Sequence, residues 1–200
     1  MAKKIGNWRR KSCLTHPISI DQYNYALSEY EDRQDYRMAV VCGLLFRCVR
    51  VYDVLNTITV EDCYNEDGSI KDKIRFIEHK TKKVRYLPLQ GEKLITALQT
   101  YYPSIQHLPR SANLFYTQKT GKKLQPSGVR MLLRQFVGKR GIQALSCHSL
   151  RKTGARYMFD CGVRLEMIKD VLNHANCRIT ERYIDITPVD IEQSMTCLAI

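Results

Sequence analysis

Apolar residues recur along the chain with two different periods. Ile20, Tyr23 and Leu27 share one face at helical spacing after Ser19, and Met38, Val41, Leu44 and Leu45 do the same after Asp35. A short third helix is expected over residues 51–56. The pattern then changes: 57–60, 74–78 and 84–89 are short and rich in β-branched residues, and Asp67-Gly68 offers a turn between the first two. These three segments predict a small three-stranded antiparallel sheet. Helical periodicity returns after Pro88, with helices expected over 92–101, 127–140, 149–160, 164–172 and 179–183, and a last one beyond Pro188. The predicted class is α+β, mostly helical. No repeat or Gly/Ser/Pro-rich linker divides the chain, so the expected organisation is a basic lead at 1–16, one folded body over 17–187 and a C-terminal helix at 188–200. In that last helix Val189, Ile191, Met195, Leu198 and Ile200 form an amphipathic pattern, which suits packing either on the chain's own body or on a neighbouring protomer.

Composition narrows the function classes. At 200 residues, with 44% hydrophobic and 26% charged, the chain has enough material for a substantial core. Its longest apolar run, residues 38–46, is well below the ~20 residues of a membrane span, and the N-terminus carries no hydrophobic signal segment. A cytoplasmic protein with no membrane partner is expected. Without a signal segment, the eight cysteines read as reduced thiols in a cytosolic core, and no CxxC pair occurs. Cys147-His148 and His174-x-x-Cys177 supply four possible metal ligands, but without paired short spacings at both ends the preferred reading is buried thiols and no metal.

Charge adds more. The formal net charge is +12, from 32 basic and 20 acidic residues, yet residues 93–159 hold twelve basic residues and no acidic one. A basic tract interleaved with core-type residues such as Leu114, Phe115 and Leu133 implies a folded surface that lies against a polyanion, with nucleic acid the leading partner. Within and around this tract, His148 and Arg151 stand three residues apart, where two helical side chains share a face and reach one phosphate. His174 precedes Tyr183 by nine residues, and Arg50 closes an apolar helix. None of these is specific alone.

Their order and spacing resemble the catalytic domain of the tyrosine recombinase (phage integrase) family. The stretch Leu44-Leu45-Phe46-Arg47-Cys48-Val49-Arg50, followed by Asp53, is similar to that family's first arginine motif. Lys80 stands eight residues before Pro88, like the family's hairpin lysine; His148-x-x-Arg151 and Leu172-Asn173-His174 with Tyr183 complete the pattern. Cys48 and Asn173 stand where the family usually has glycine, and Arg47 is an extra arginine. The N-terminal DNA-clamping domain of most members is not expected before Ile20. The chain is therefore similar to the single-domain fimbrial-type DNA invertases, or to a catalytic fragment.

The resemblance implies a site-specific DNA recombinase. Arg50 and Arg151 would neutralise the scissile phosphate, with His148 and His174 as further donors. Tyr183 would attack phosphorus to give a 3′-phosphotyrosyl intermediate, and Lys80, preferred over Lys82 and Lys83, would protonate the leaving 5′-oxygen. No cofactor or metal is required. Asp53 is expected to hold the Arg50 guanidinium, and Arg47, Lys82, Lys83, Lys119, Lys122, Lys123, Arg130, Arg134 and Lys152 to contact DNA elsewhere. Arg47 and Arg50 would point the same way on a continuing helix, so only register favours Arg50. Double-stranded DNA, a homo-oligomer that is tetrameric at synapsis, and a nucleoid location complete the expectation. Inversion, integration and excision stay open. So do two rivals, a type IB topoisomerase-like relaxation and a non-catalytic DNA-binding regulator with the same fold.

Overall fold

The computed structural model describes residues 15–117 and 120–196. The expected basic lead, Lys119, Leu198 and Ile200 therefore lie wholly or mostly outside the described residues. The first helix, α1 (Ile20–Asp32), opens on a reciprocal cap in which Gln22 N–H donates to Ser19 Oγ at 3.1 Å and Ser19 N–H donates to Gln22 Oε1 at 3.1 Å. Helix α2 (Tyr36–Phe46) starts on Asp35 and is apolar all round, so Met38, Ala39, Val40, Val41, Cys42, Leu44 and Leu45 are all buried. It is the central helix, with α1, α5 (Glu92–Tyr101) and α7 (Cys147–Asp160) packed around it.

The sheet has two strands rather than three among the described residues. Strands β1 (Lys73–Ile77) and β2 (Val84–Pro88) pair antiparallel from Lys73 opposite Pro88 to Ile77 opposite Val84. Residues 57–60 do not form the expected third strand. Thr59 instead caps the one-turn helix α4 (Val60–Cys63), with its N–H and hydroxyl donating to Asp62 Oδ2 at 2.8 and 2.7 Å, and makes only an isolated bridge to Asn113. The local cap outcompetes strand pairing because Thr-x-x-Asp satisfies its own backbone donor. The Asp67-Gly68 turn is present, with Gly68 at φ +83°, but it leads from α4 into β1.

Helix α3 (Val51–Asn56) has the expected extent, whereas α6 (Pro126–Arg134) stops short of residue 140, because the chain turns back at Gly138. Helices α7, α8 (Leu165–Leu172), α9 (Cys177–Tyr183) and α10 (Pro188–Met195) follow. A large core surrounds α2, and a smaller one of Cys48, Ala155, Ile168, Leu172 and Ile184 joins α7, α8 and α9. The two helices α2 and α7 meet with backbone in close approach: an ideal Cβ on Gly154 would lie 1.6 Å from the Phe46 carbonyl oxygen. No helix among the described residues is long and apolar enough to cross a membrane.

Candidate active site

Five of the six residues expected to carry chemistry converge where α3, α7, α8 and α9 meet. Ser146 caps α7 through a reciprocal bond pair with Ser149, which starts the helix at Cys147 and puts His148 in its first turn, one turn before Arg151. Arg151 is buried, and its Nη2 donates to the Leu172 carbonyl at the end of α8, 2.9 Å away. Its Nε is buried with no hydrogen-bond partner among the described residues. Arg50 caps α3; its Nη1 lies 3.1 Å from Glu78 Oε1, yet the N–H does not line up on that oxygen, so the nitrogen makes no hydrogen bond. Two guanidinium donors are thus buried and unspent in one place.

Tyr183 sits between the two imidazoles. Its hydroxyl lies 3.5 Å from His148 Nδ1, and both His rings meet the phenol edge-on, with centroids 4.9 and 5.0 Å away. His174 is fixed by a 3.1 Å contact between its Nδ1 and Thr180 Oγ1. Burial pushes the Tyr183 phenol well above its ordinary value despite the opposing charges of Arg151 and Arg50. Burial, then Arg151, Arg50 and His148, bring His174 down to about 4. His148 is lowered by burial and by Lys152 and Arg151. At neutral pH the site therefore holds a protonated phenol beside two neutral imidazoles.

Both places where glycine is replaced are left-handed. Cys48 has φ +64° and Asn173 φ +56°. The first ends α2 and turns the chain between Arg47 and Arg50, so the two arginines do not share a helical face as expected on a continuing helix. Arg47 instead donates to the Gly43 carbonyl at 3.0 Å and to that of Gln90, tying the end of α2 to the β2–α5 connection. Two of its donors thus go to the protein's own backbone, which gives Arg47 a structural role beside the DNA contact expected of it.

Asp53 is corrected as well. It is buried and accepts from the His79 N–H at 2.8 Å rather than holding Arg50. The carboxylate beside Arg50 is Glu78, a residue not anticipated. The signal was available, because strand alternation through Ile74 and Phe76 continues to Glu78 on the buried face, where an acid requires cationic partners. Arg85, also unanticipated, donates to Glu78 Oε1 at 3.1 Å and to the Val171 carbonyl at 2.8 Å.

Lys80 is exposed in the β1–β2 turn, and no hydrogen bond or ion pair holds its ammonium among the described residues. Lys82 and Lys83 are exposed beside it, as are Lys122, Arg130 and Arg134 elsewhere, while Lys123 is half-buried. Lys152 departs from the expected DNA-contacting set. It is 5% exposed, with Nζ 5.3 Å from the Tyr183 ring centroid and 3.5 Å from Asp185 Oδ1, so it lies beneath the phenol. Among the described residues no group of three or more His, Cys, Asp or Glu is arranged to hold a metal ion, and Cys147 and Cys177 are free thiols.

Comparison with known proteins places this arrangement. Residues 18–189 match the phage integrase family. The chain is 25% identical over 178 residues to tyrosine recombinase XerC of Alcanivorax borkumensis, covering 85% of this chain and 55% of that protein. It is 28% identical over 138 residues to the probable integrase/recombinase YoeC of Bacillus subtilis, covering 69% and 71%. The fold is similar to the crystal structure of XerA recombinase, with TM-score 0.72, 22% identity, and coverage of 92% of this chain and 64% of that one. It is also similar to XerH site-specific recombinase in a post-cleavage complex with its palindromic difH substrate, with TM-score 0.69, 17% identity, and coverage of 94% and 53%. The chain spans about half the length of the first of these relatives. With the family matched over most of its length, the chain belongs to the phage integrase family.

Proposed function

We propose that this protein is a site-specific tyrosine recombinase that cuts and rejoins double-stranded DNA through a 3′-phosphotyrosyl intermediate. The observation that carries the reading is the placement of the Tyr183 hydroxyl 3.5 Å from His148 Nδ1, with both imidazoles edge-on and two incompletely bonded guanidinia alongside. Arg50 and Arg151 hold the non-bridging oxygens of the scissile phosphate, where charge builds as the pentacoordinate state forms. The Tyr183 oxygen bonds to phosphorus and its proton passes to the neutral His148, whose lowered pKa leaves Nδ1 able to accept when the ring proton is on Nε2. The bond from phosphorus to the 5′-oxygen breaks, and Lys80 from the exposed hairpin turn supplies the proton. Religation by another 5′-hydroxyl reverses these steps without an external energy source.

The exposed cations Lys82, Lys83, Lys122, Arg130 and Arg134 position the duplex by phosphate contacts. Synapsis requires several protomers, and α10 supports assembly between them. Over its described residues it buries no side chain, its Val189, Ile191 and Met195 are exposed, and Arg156 of α7 pairs with its Asp190. Truncation after Pro188 is expected to leave single-site cleavage measurable while impairing strand exchange; loss of folding would instead assign the helix to its own body. A cytoplasmic, nucleoid-associated location follows from the DNA substrate. The central test is covalent trapping on a nicked suicide substrate: wild type forms a protein–DNA adduct, and Tyr183→Phe forms none while binding DNA with nearly unchanged affinity. Adducts persisting in that variant would refute the assignment.

A further inference from the structure

We propose that Glu78 is a positioning residue for this reaction, a buried carboxylate that locks Arg50, the turn carrying Lys80 and the backbone before His174 into one unit. The inference rests on the recombinase reading above. Glu78 has a side chain 4% exposed and sits two residues before Lys80. Its Oε1 lies 3.1 Å from Arg50 Nη1 and accepts from Arg85 Nη1 at 3.1 Å. Its Oε2 accepts from Thr81 Oγ1 at 2.6 Å and from Asn173 Nδ2 at 2.9 Å. One carboxylate therefore touches the arginine that would hold the phosphate, the residue next to the proposed acid, and the residue next to His174.

The backbone reinforces this role. Glu78 N–H donates to the Lys83 carbonyl and Lys82 N–H to the Glu78 carbonyl, each at 2.9 Å, which closes the turn around Lys80. The His79 N–H bond to Asp53 fastens the same turn to α3. On the other side, the end of α8 is gripped at three successive residues: Val171 accepts from Arg85, Leu172 accepts from Arg151, and Asn173 donates to Glu78. Asn173 holds the left-handed conformation that a glycine would also adopt, and its amide adds a link that glycine lacks. Burial alone raises the Glu78 pKa, but the Thr81 and Asn173 donors and the Arg50 and Arg85 charges more than offset it, and the carboxyl is held below its ordinary value.

A carboxylate used only to stabilise the fold would not distinguish one leaving group from another. A carboxylate that presents Lys80 would, because the acid matters only when the leaving oxygen needs a proton. The test is single-turnover cleavage at saturating protein on two suicide substrates, one ordinary and one with sulfur replacing the bridging 5′-oxygen. In the second, the phosphorus–sulfur bond breaks and the thiolate departs with the electron pair and without a proton, since a thiol has a pKa near 8.5.

Glu78→Gln, which supplies fewer acceptor sites for the same three hydrogen-bond donors and removes the charge beside Arg50, is expected to slow cleavage of ordinary DNA on the order of 10²-fold with DNA affinity little changed. On the sulfur substrate its deficit should shrink by about tenfold, as that of Lys80→Ala should. Asn173→Gly, which keeps the backbone conformation and removes one bond, should show the same pattern with a smaller deficit. Cleavage by Glu78→Gln at the wild-type rate, or an equal deficit on both substrates, overturns the proposal. If Glu78→Gln does not fold, Asn173→Gly decides by the same two criteria. Failure of the recombinase reading itself is distinct: wild type would then form no adduct on either substrate.

Discussion

At Gly154 one added methyl group would perturb the fold and the chemistry together. An ideal Cβ at this position would lie 1.6 Å from the Phe46 carbonyl oxygen and 2.6 Å from its carbon, whereas ordinary packing places such atoms about 3.5 Å apart. The obstacle is main chain at the end of α2 and cannot rotate away. Gly154→Ala must therefore push α7 and α2 apart locally by roughly 2 Å. Overpacking of this kind costs about 1–3 kcal/mol, here at the upper end, and is offset by about 1 kcal/mol of helix propensity. The expected net loss is about 2 kcal/mol.

Gly128 in α6 supplies the control, because its Cβ would meet only Leu124 Cδ1 at 3.4 Å. Gly128→Ala should stabilise by about 0.5–1 kcal/mol. Urea unfolding reads both as opposite shifts in midpoint at unchanged slope. Because α7 carries His148 and Arg151, the displacement should also slow DNA cleavage on the order of 10²-fold under conditions where Gly154→Ala remains folded. An alanine variant as stable as wild type, or one that is destabilised yet cleaves at the wild-type rate, would refute the reasoning.

Three further outcomes are expected. Arg50→Ala should lose on the order of 10²–10³ in cleavage rate at saturating protein, while Arg47→Ala, whose donors meet the Gly43 and Gln90 carbonyls, should lose stability instead; unfolding and cleavage measured together separate the two. His174 is brought down to about 4 in the folded chain against about 6.5 unfolded, so the unfolded state binds more protons between those values. Stability should be full above about pH 6.5 and fall as the pH drops toward 4, and His174→Gln should flatten that fall in urea midpoints measured against pH. DNA affinity should fall with salt at a log–log slope of about −0.9 per phosphate neutralised, and a flat response would remove the exposed cations from the interface.

Helix starts were legible because their signals are local. Ser19, Asp35 and the position after Pro188 each announce a cap or first turn within four residues of sequence, and the structure places helices there. The same locality explains the missing strand, where β-branched composition at 57–60 masked the capping pattern of Thr59 and Asp62. Site geometry was legible only as far as spacing on one element carries it, as with His148 and Arg151 on α7. The Arg50 partner was misassigned to Asp53 because sequence proximity favours a residue three positions away, whereas the carboxylate that meets Arg50 arrives from a strand. Lys152 looked like a surface cation for a related reason: nothing local reveals that Asp185 and the Tyr183 ring cover it.

The uneven burial of the last helices implies a gradient of local opening. Helix α2 is enclosed on every side, while α9, which carries Tyr183, buries only Thr180, and α10 buries nothing. Amide hydrogen exchange should accordingly be slowest in α2, reporting global unfolding there, and much faster through α9 and α10 by openings that leave the core intact. Tyr183 thus rides on one of the least protected segments, whereas His148 and Arg151 stand on α7, which packs against the most protected one. On the recombinase reading, such a division would let Tyr183 be withdrawn and returned between rounds of strand transfer without disturbing the residues proposed to hold the DNA.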